Sequence, residues 1–193
     1  NGEEPIRFLY SYAGLFGDPL LHPELDPYPD VLLRRLARVG VNGVWLHVVL
    51  SQLAPSDALG RPTADHEVRL ASLAKMVERA ARHGVAIYLY MNEPRAVPAS
   101  LLQGREELQG VREGDYVTLC TSAPQVRQWI TDSLAHVFSR VPGLGGVFTI
   151  TASENLTNCY SHNRSAAACP RCSERSGPEV IAEVNAAIAA GVR

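Results

Sequence analysis

The sequence predicts an α/β fold built on a parallel sheet, and three observations support this prediction. Runs rich in β-branched and aromatic residues alternate four times with amphipathic helical runs along the 193 residues. A helix end, Gly-Val and an apolar strand follow one another at Gly40-Val41 and Gly84-Val85, and Gly191-Val192 repeats the two junction residues. The loops after the strands are long, whereas most loops after the helices are short.

Each predicted strand precedes a predicted helix. The strands cover residues 6–12, 41–50, 85–91 and 145–151, and the helices cover about 30–39, 68–83, 124–140 and 178–190. The second strand is nearly continuous in its apolar character, which is typical of parallel strands buried on both faces. Gly40 and Gly84 end two helices, and we expect Gly191 to end the last one. Residues 92–114 are expected to form a long loop, followed by a short extended piece at 116–120.

The loops favour a barrel over an open sheet. Right-handed βαβ units generate either architecture, but long loops at the carboxyl ends of the strands fit a barrel that carries its active site on that face. No Gly-x-Gly-x-x-Gly follows the first strand, which argues against a dinucleotide fold. A complete barrel needs roughly 250 residues. We therefore predict a parallel (β/α) barrel of TIM type with about four βα units, a half barrel or truncated barrel.

In this prediction, residues 1–193 form the N-terminal half of a single (β/α)8 catalytic domain. Four units leave the first and fourth strands with open edges, and pairing through these edges predicts a homodimer.

The composition excludes several functional classes. Apolar residues make up 46% and charged residues 20% of the chain, and the net charge is −2, so the sequence predicts no nucleic-acid partner. The sequence contains no run of about 18 apolar residues, so it predicts no membrane span. The first residues, Asn1-Gly-Glu-Glu-Pro5, lack the basic and apolar regions of a signal peptide.

Glu154 is the candidate catalytic carboxylic acid. It follows the fourth predicted strand, and barrel strands present such residues at the mouth of the pocket. Apolar walls there would raise its pKa and keep it protonated as a general acid. Asn155 is the adjacent candidate for a hydrogen bond to a sugar hydroxyl. The alternative is a loop glutamate that caps a backbone amide.

The other candidate substrate-binding residues lie within the second strand and at the ends of the first and third. Asn92, Glu93 and Arg95 follow the third strand, where Arg95 could hold a carboxylate or hydroxyls in a fork; the alternative is a Glu93–Arg95 surface pair. Trp45 and His47 share one face of the second strand, and a satisfied core histidine is the alternative for His47. At the end of the first strand, Tyr12 is a candidate for stacking on a sugar. Tyr10 would point to the same side of the strand as Tyr12, and Ser11 to the opposite side.

A second pattern concerns metal binding. Cys159-x-x-His162 and Cys169-Pro-Arg-Cys172 each place two ligand-type residues three positions apart, which suits a tetrahedral structural zinc site. Cys120 is an alternative fourth ligand. A disulfide such as Cys159–Cys169, or free thiols, would also account for the cysteines.

Three segments resemble the glycoside hydrolases of the barrel type: Gly40–Trp45, Tyr90–Arg95 and Gly146–Glu154. The nearest resemblance is to the bacterial family-20-like group, similar to β-hexosaminidases, and it spans nearly the whole chain as half a barrel. It implies that Glu154 is the general acid at the end of strand four. Family-20 enzymes have an aspartate directly before that glutamate, where this sequence has Ser153, so a role in orienting an N-acetyl group is not carried over.

The predicted reaction is the hydrolysis of a glycosidic bond, with a carbohydrate as substrate and no cofactor for catalysis. A second carboxylate, or the substrate's own amide, must assist Glu154 from the opposite side of the sugar. A carboxylate on a seventh strand would lie beyond Arg193, so we expect the 193-residue chain to be inactive by itself. Two alternatives are a non-catalytic carbohydrate-binding barrel and a metal-dependent lyase or isomerase barrel, which would need an openly coordinated metal.

Overall fold

A computed structural model describes residues 5–152, 155–163 and 168–193. Its centre is a four-stranded, fully parallel sheet in the order β1-β2-β3-β7. These strands are Phe8–Leu9, Gly43–His47, Ala86–Met91 and Gly146–Thr149. The predicted α/β class with a parallel sheet is confirmed. The first strand is much shorter than predicted, because the chain leaves the sheet after Leu9 and enters a 3-10 turn at Tyr12–Gly14.

Four of the five α-helices match the predicted helical segments. They are α1 (Asp30–Arg38), α3 (His66–Ala81), α4 (Pro124–Arg140) and α5 (Gly177–Val192), and the short α2 (Leu50–Leu53) was not predicted. Gly40 and Gly84 follow α1 and α3 with φ of 82° and 69°, the left-handed conformation that ends helices and favours glycine. No helix in the described part of the chain combines the length and apolarity that a bilayer crossing requires.

The expectation that Gly191 ends the last helix is wrong. α5 runs on to Val192 and packs against α4. A Cβ at Gly191 would lie 2.5 Å from the Thr131 carbonyl oxygen and 2.7 Å from Leu134 Cβ. Glycine therefore permits a close approach between two helices at this position instead of breaking one.

The long loop predicted at residues 92–114 contains structure of its own. An antiparallel sheet in the order β4-β6-β5 is formed by Val97–Pro98, Tyr116–Leu119 and Gln109–Glu113. Two 3-10 turns, Ala99–Leu102 and Glu106–Leu108, join its first two strands in sequence. The pattern was missed because β4 has two residues and β5 is only partly buried, so neither has a clear apolar alternation.

Candidate active site at the strand ends

Alternation along the parallel strands separates two faces of the sheet. Val44, Leu46, Ile87 and Leu89 have no exposed surface and belong to the main hydrophobic core. The residues between them point to the opposite face and are half-buried. Six of the side chains on this second side are aromatic and form what we call the aromatic face: Phe8, Tyr10, Trp45, Tyr88, Tyr90 and Phe148.

Trp45 lies at the centre of the aromatic face. Its ring stacks on Tyr10 with centroids 4.4 Å apart and an interplanar angle of 16°, and it contacts Tyr90 at 4.8 Å. Phe148 extends the surface, 5.5 Å from Tyr90, and retains 42% of its exposure. Such a surface offers flat apolar rings with polar rims, the kind of contact that amphipathic ligands favour.

His47 stands beside the aromatic rings and is paired with Arg95. The His47 ring is 5.7 Å from Tyr90, and its Nε2 lies 2.7 Å from Arg95 Nη2. Burial, and secondarily the Arg95 guanidinium, lower the pKa of His47. Because a guanidinium is a donor only, His47 Nε2 accepts this hydrogen bond and the neutral ring carries its proton on Nδ1. His47, predicted inside the second strand, and Arg95, predicted after the third, therefore meet.

Asn92 and Glu93 are both buried directly after β3. Glu93 Oε1 accepts a hydrogen bond from the Leu50 N–H at 2.7 Å, and Oε2 accepts one from the Arg95 N–H at 3.0 Å. Burial raises the pKa of Glu93 to about 7, against the opposing effect of these donors and of the Arg95 charge. Glu93 thus ties the end of β3 to the start of α2 and orients the backbone at Arg95, and it does not form the surface pair considered as an alternative.

Two predicted binding residues are not among the six side chains of the aromatic face. Tyr12 is 70% exposed and packs on Phe16 at 4.8 Å, whereas Tyr10 occupies the place against Trp45. Asn155 is half-buried in the loop after β7. The short β1 explains the first difference, since the chain has already turned out of the sheet at Tyr12.

Glu154 lies outside the described residues, and so does Ser153, but both flanks of this segment are described. The Thr151 carbonyl accepts hydrogen bonds from Thr157 Oγ1 at 2.9 Å and Asn158 Nδ2 at 2.6 Å. The Ala96 N–H donates to the Leu156 carbonyl at 3.0 Å, which joins the loop after β7 to the loop after β3. The described residues on either side of this segment are therefore held by hydrogen bonds, and Leu156 lies next to the loop after β3.

The described residues leave the aromatic face open. A cavity of about 70 Å³ beside Glu93, Arg95 and Trp129 is small compared with ligand sites of about 300–1,000 Å³. A sugar-sized hollow would need walls in addition to the sheet described here.

The cysteines form a second cluster, away from the aromatic face. Cys120, Cys159, Cys169 and Cys172 are all buried, and their sulfur atoms lie within 4.8 Å of one another. His162 is outside this group: its Nδ1 is 3.1 Å from Glu113 Oε2. The cluster therefore contains Cys120, the alternative fourth ligand, in the place that the sequence assigned to His162.

The chain is similar in fold to parts of larger solved structures. A GH5_18 protein from Bifidobacterium longum subsp. longum, crystallised in complex with Manb1-4GlcNAc, aligns with 98% of this chain and 41% of its own length, at 15% identity and a TM-score of 0.56. The β-glucosidase from Trichoderma harzianum aligns with 90% of this chain and 32% of its own, at 13% identity and a TM-score of 0.50.

A chitobiase from Flavobacterium johnsoniae aligns with 97% of this chain and 30% of its own length, at 16% identity and a TM-score of 0.47, too low to support an argument. No family model matches the sequence, and no curated protein matches it. The structural neighbours are glycoside hydrolases of the TIM-barrel fold, and the chain spans about two fifths or less of the first two structures. At these identities the likeness concerns the fold.

The sequence interpretation missed much of the aromatic face. Tyr88, Tyr90 and Phe148 were assigned to strands without a role, although they share a side of the sheet with Trp45 and His47. The pairing of Trp45 with Tyr88 and of His47 with Tyr90 in the β2–β3 register places them together. Assigning alternate residues of each strand to opposite faces could have found these rings. The residues of β3 on this face, Ala86, Tyr88 and Tyr90, are all small or aromatic.

Proposed function

We propose that this chain is the N-terminal half of a (β/α)8 glycoside hydrolase domain, with Glu154 as general acid. The observation that carries the proposal is the aromatic face with the His47–Arg95 pair at its edge, where β2 and β3 reach their carboxyl ends. In barrels of this class the substrate lies at those ends. The TIM-barrel fold of the structural neighbours supports the same placement.

The proposed substrate contacts divide between stacking and hydrogen bonding. Trp45, with Tyr10 and Tyr90 beside it, would stack on the apolar side of a sugar ring. Arg95 offers guanidinium donors and neutral His47 offers its Nδ1–H to hydroxyl oxygens. Glu93 is a positioning residue that holds the backbone of Arg95, and Asn92 and Asn155 belong to the loops after β3 and β7.

In the proposed reaction, Glu154 transfers its proton to the glycosidic oxygen while the bond from that oxygen to the anomeric carbon breaks. The leaving alcohol takes the proton, and the anomeric carbon passes through an oxocarbenium-like state. Water then adds its hydroxyl to this carbon, and its remaining proton restores the catalytic pair of groups. The second group of that pair is a carboxylate or the substrate's own amide.

The test is hydrolysis of a panel of chromogenic glycosides by the protein that contains this chain. Glu154→Gln should lower kcat by about 10²–10⁴-fold and retain sugar binding, because it removes the transferable proton but keeps the side-chain shape. Glu78→Gln, an exposed position on α3, is the matched control and should leave kcat unchanged. Equal kcat for Glu154→Gln and wild type would end the assignment of the general acid.

Binding distinguishes this proposal from the non-catalytic alternative. Trp45→Ala should weaken binding of the preferred glycoside, whereas Tyr116→Ala, at an exposed aromatic residue of the antiparallel sheet, should not. Sugar binding without hydrolysis on any glycoside of the panel would instead indicate a carbohydrate-binding barrel.

A further inference from the structure

The four cysteines come from three separate parts of the chain. Cys120 directly follows β6 of the antiparallel sheet, Cys159 lies in the loop after β7, and Cys169 and Cys172 lie in the turns before α5. Each side chain is at most 1% exposed. Four buried sulfur atoms from distant segments thus meet at one point, together with the apolar Val180 and the half-buried Val111.

The spacing of the sulfur atoms matches a tetrahedral metal site. Cys120 Sγ lies 3.6 Å from Cys169 Sγ and 3.7 Å from Cys172 Sγ. Zinc bound by four thiolates at about 2.3 Å has sulfur–sulfur edges of about 3.8 Å. A disulfide would bring two sulfurs to about 2.05 Å, and all four cysteines are free thiols in this structure.

The surroundings of the sulfurs suit a negatively charged thiolate cluster. Arg171 Nε donates to Cys120 Sγ at 3.3 Å, Ser122 Oγ lies 3.2 Å from Cys172 Sγ, and Thr118 Oγ1 lies 3.8 Å from Cys159 Sγ. Hydrogen bonds of this kind around the ligands are the usual support of a metal centre. The cluster also leaves no room for a side chain at position 110, because a Cβ at Gly110 would lie 2.6 Å from Cys159 Sγ.

We propose that Cys120, Cys159, Cys169 and Cys172 bind one structural Zn²⁺ ion, and that His162 is not a ligand. Four protein ligands close the tetrahedron and leave no open position for substrate or water, so the role is structural. Binding would replace four S–H bonds by four Zn–S bonds and release the protons. The thiolate cluster would carry a net charge of −2 beside the Arg171 guanidinium.

The position of the site gives it a defined task. It would connect the antiparallel sheet, the loop after β7 and the start of α5. The loop after β7 is the one that contains Glu154, and its anchor at Thr151–Asn158 directly precedes Cys159. The zinc would therefore restrain that loop at Cys159, directly after Asn158. This proposal depends on the thiols alone and is independent of any glycosidase activity.

Metal content tests the ligand set. The purified chain, expressed with zinc and handled under reducing conditions, should contain about one zinc ion by mass spectrometry of the metal. Cys120→Ser should lose most of this zinc, whereas the matched control His162→Ala should keep it. Retention of zinc by Cys120→Ser with loss by His162→Ala would overturn the ligand set.

Cobalt gives a spectroscopic readout that does not need activity. Co²⁺ added to the metal-free chain should produce the thiolate-to-cobalt charge transfer and strong visible bands of a tetrahedral sulfur site. His162→Ala should give the same spectrum, and Cys120→Ser a weaker or shifted one. The intensity of these bands identifies four-coordinate geometry even if a serine variant folds poorly.

Two results would overturn the proposal outright. One is a chain with native helical circular dichroism and four titratable thiols that takes up neither zinc nor cobalt. The other is an intact mass that lacks two hydrogens and indicates a disulfide in the folded chain. Stoichiometric iron in place of zinc would overturn the choice of metal.

Discussion

The two faces of the parallel sheet are made of neighbouring residues and differ in burial and in side-chain type. On β3, Ile87 and Leu89 are fully buried in an aliphatic core, while Tyr88 and Tyr90, which alternate with them, are half-buried and aromatic. Both faces are apolar, so hydrophobicity alone does not separate them. Helices cover one face, whereas the described residues leave the other open, and its polar partners His47 and Arg95 stand at the rim. The contrast shows that one face of a sheet can stabilise the fold while the other remains available for a binding site.

The largest expected effect is on the covered face. Leu89→Ala removes a fully buried side chain and should lower the free energy of unfolding by about 2–5 kcal/mol in urea titration. Phe148→Ala, on the aromatic face and 42% exposed, should cost less than half as much. Equal costs would mean that the aromatic face is covered in solution, for instance in the homodimer predicted from the open edges of β1 and β7.

The second effect arises from the buried carboxyl group at the edge between the faces. Burial raises the pKa of Glu93 from 4.5 to about 7, so between these pH values the folded chain keeps a proton that the unfolded chain has lost. The free energy of unfolding should therefore fall as pH rises through this window, by up to about 3 kcal/mol. Glu93→Gln should flatten this slope in denaturant titrations repeated at several pH values.

Glu78→Gln is the control for the Glu93 prediction, since Glu78 is exposed. It should retain the wild-type slope. A Glu93→Gln slope equal to that of wild type would show that this carboxyl group titrates normally.

A third, smaller effect probes packing within the aromatic face. Gly145→Ala would place a Cβ 2.6 Å from the Tyr88 ring and should destabilise the chain by about 1–3 kcal/mol. The double-mutant cycle with Tyr88→Ala supplies the control, because without the ring only the 2.9 Å approach to Ala86 Cβ remains and the added methyl group should cost less. Additive costs in thermal unfolding would indicate that the glycine is needed for its backbone and not for the ring.

The smallest expected effect concerns the polar rim. Arg95→Gln removes the charge next to His47 and should raise the His47 pKa. Burial is the larger cause of its lowered pKa, so the value should stay below 6.5. Titration of the imidazole proton signals by NMR measures this change, with the exposed Arg112→Gln as control. A His47 pKa that does not move would show that the pair does not form in solution.

Much of the fold was predictable from local patterns. The helix at 124–140 was predicted at its observed bounds, and Gly40 and Gly84 mark real helix ends because the left-handed conformation they adopt is a local property of glycine. Gly191 misled the prediction because the same residue type serves a contact between α4 and α5, which a local pattern does not contain. The antiparallel sheet was missed for a similar reason, since its short strands are defined by their partners.

The candidate site was predictable only in part. The sequence placed His47 and Trp45 on one face of the second strand and Arg95 after the third, but their distances depend on the register between β2 and β3. Tyr12 was chosen over Tyr10 because the early end of β1 left no local signal. Cys169 and Cys172 are close in sequence and were paired correctly in one cluster, whereas Cys120 and His162 exchanged places because His162 is nearer along the chain but Cys120 is nearer in space.

By itself, the sequence determined the alternation of strands and helices, the parallel α/β class and the residue types available for chemistry, because apolar periodicity and glycine conformation act over a few residues. Tertiary structure alone decided which side of each strand is covered, which cysteines meet and which carboxyl group is buried. Those features depend on contacts between residues such as Cys120 and Cys172, or Leu50 and Glu93, that lie 52 and 43 positions apart. Only the folded chain brings such residues together.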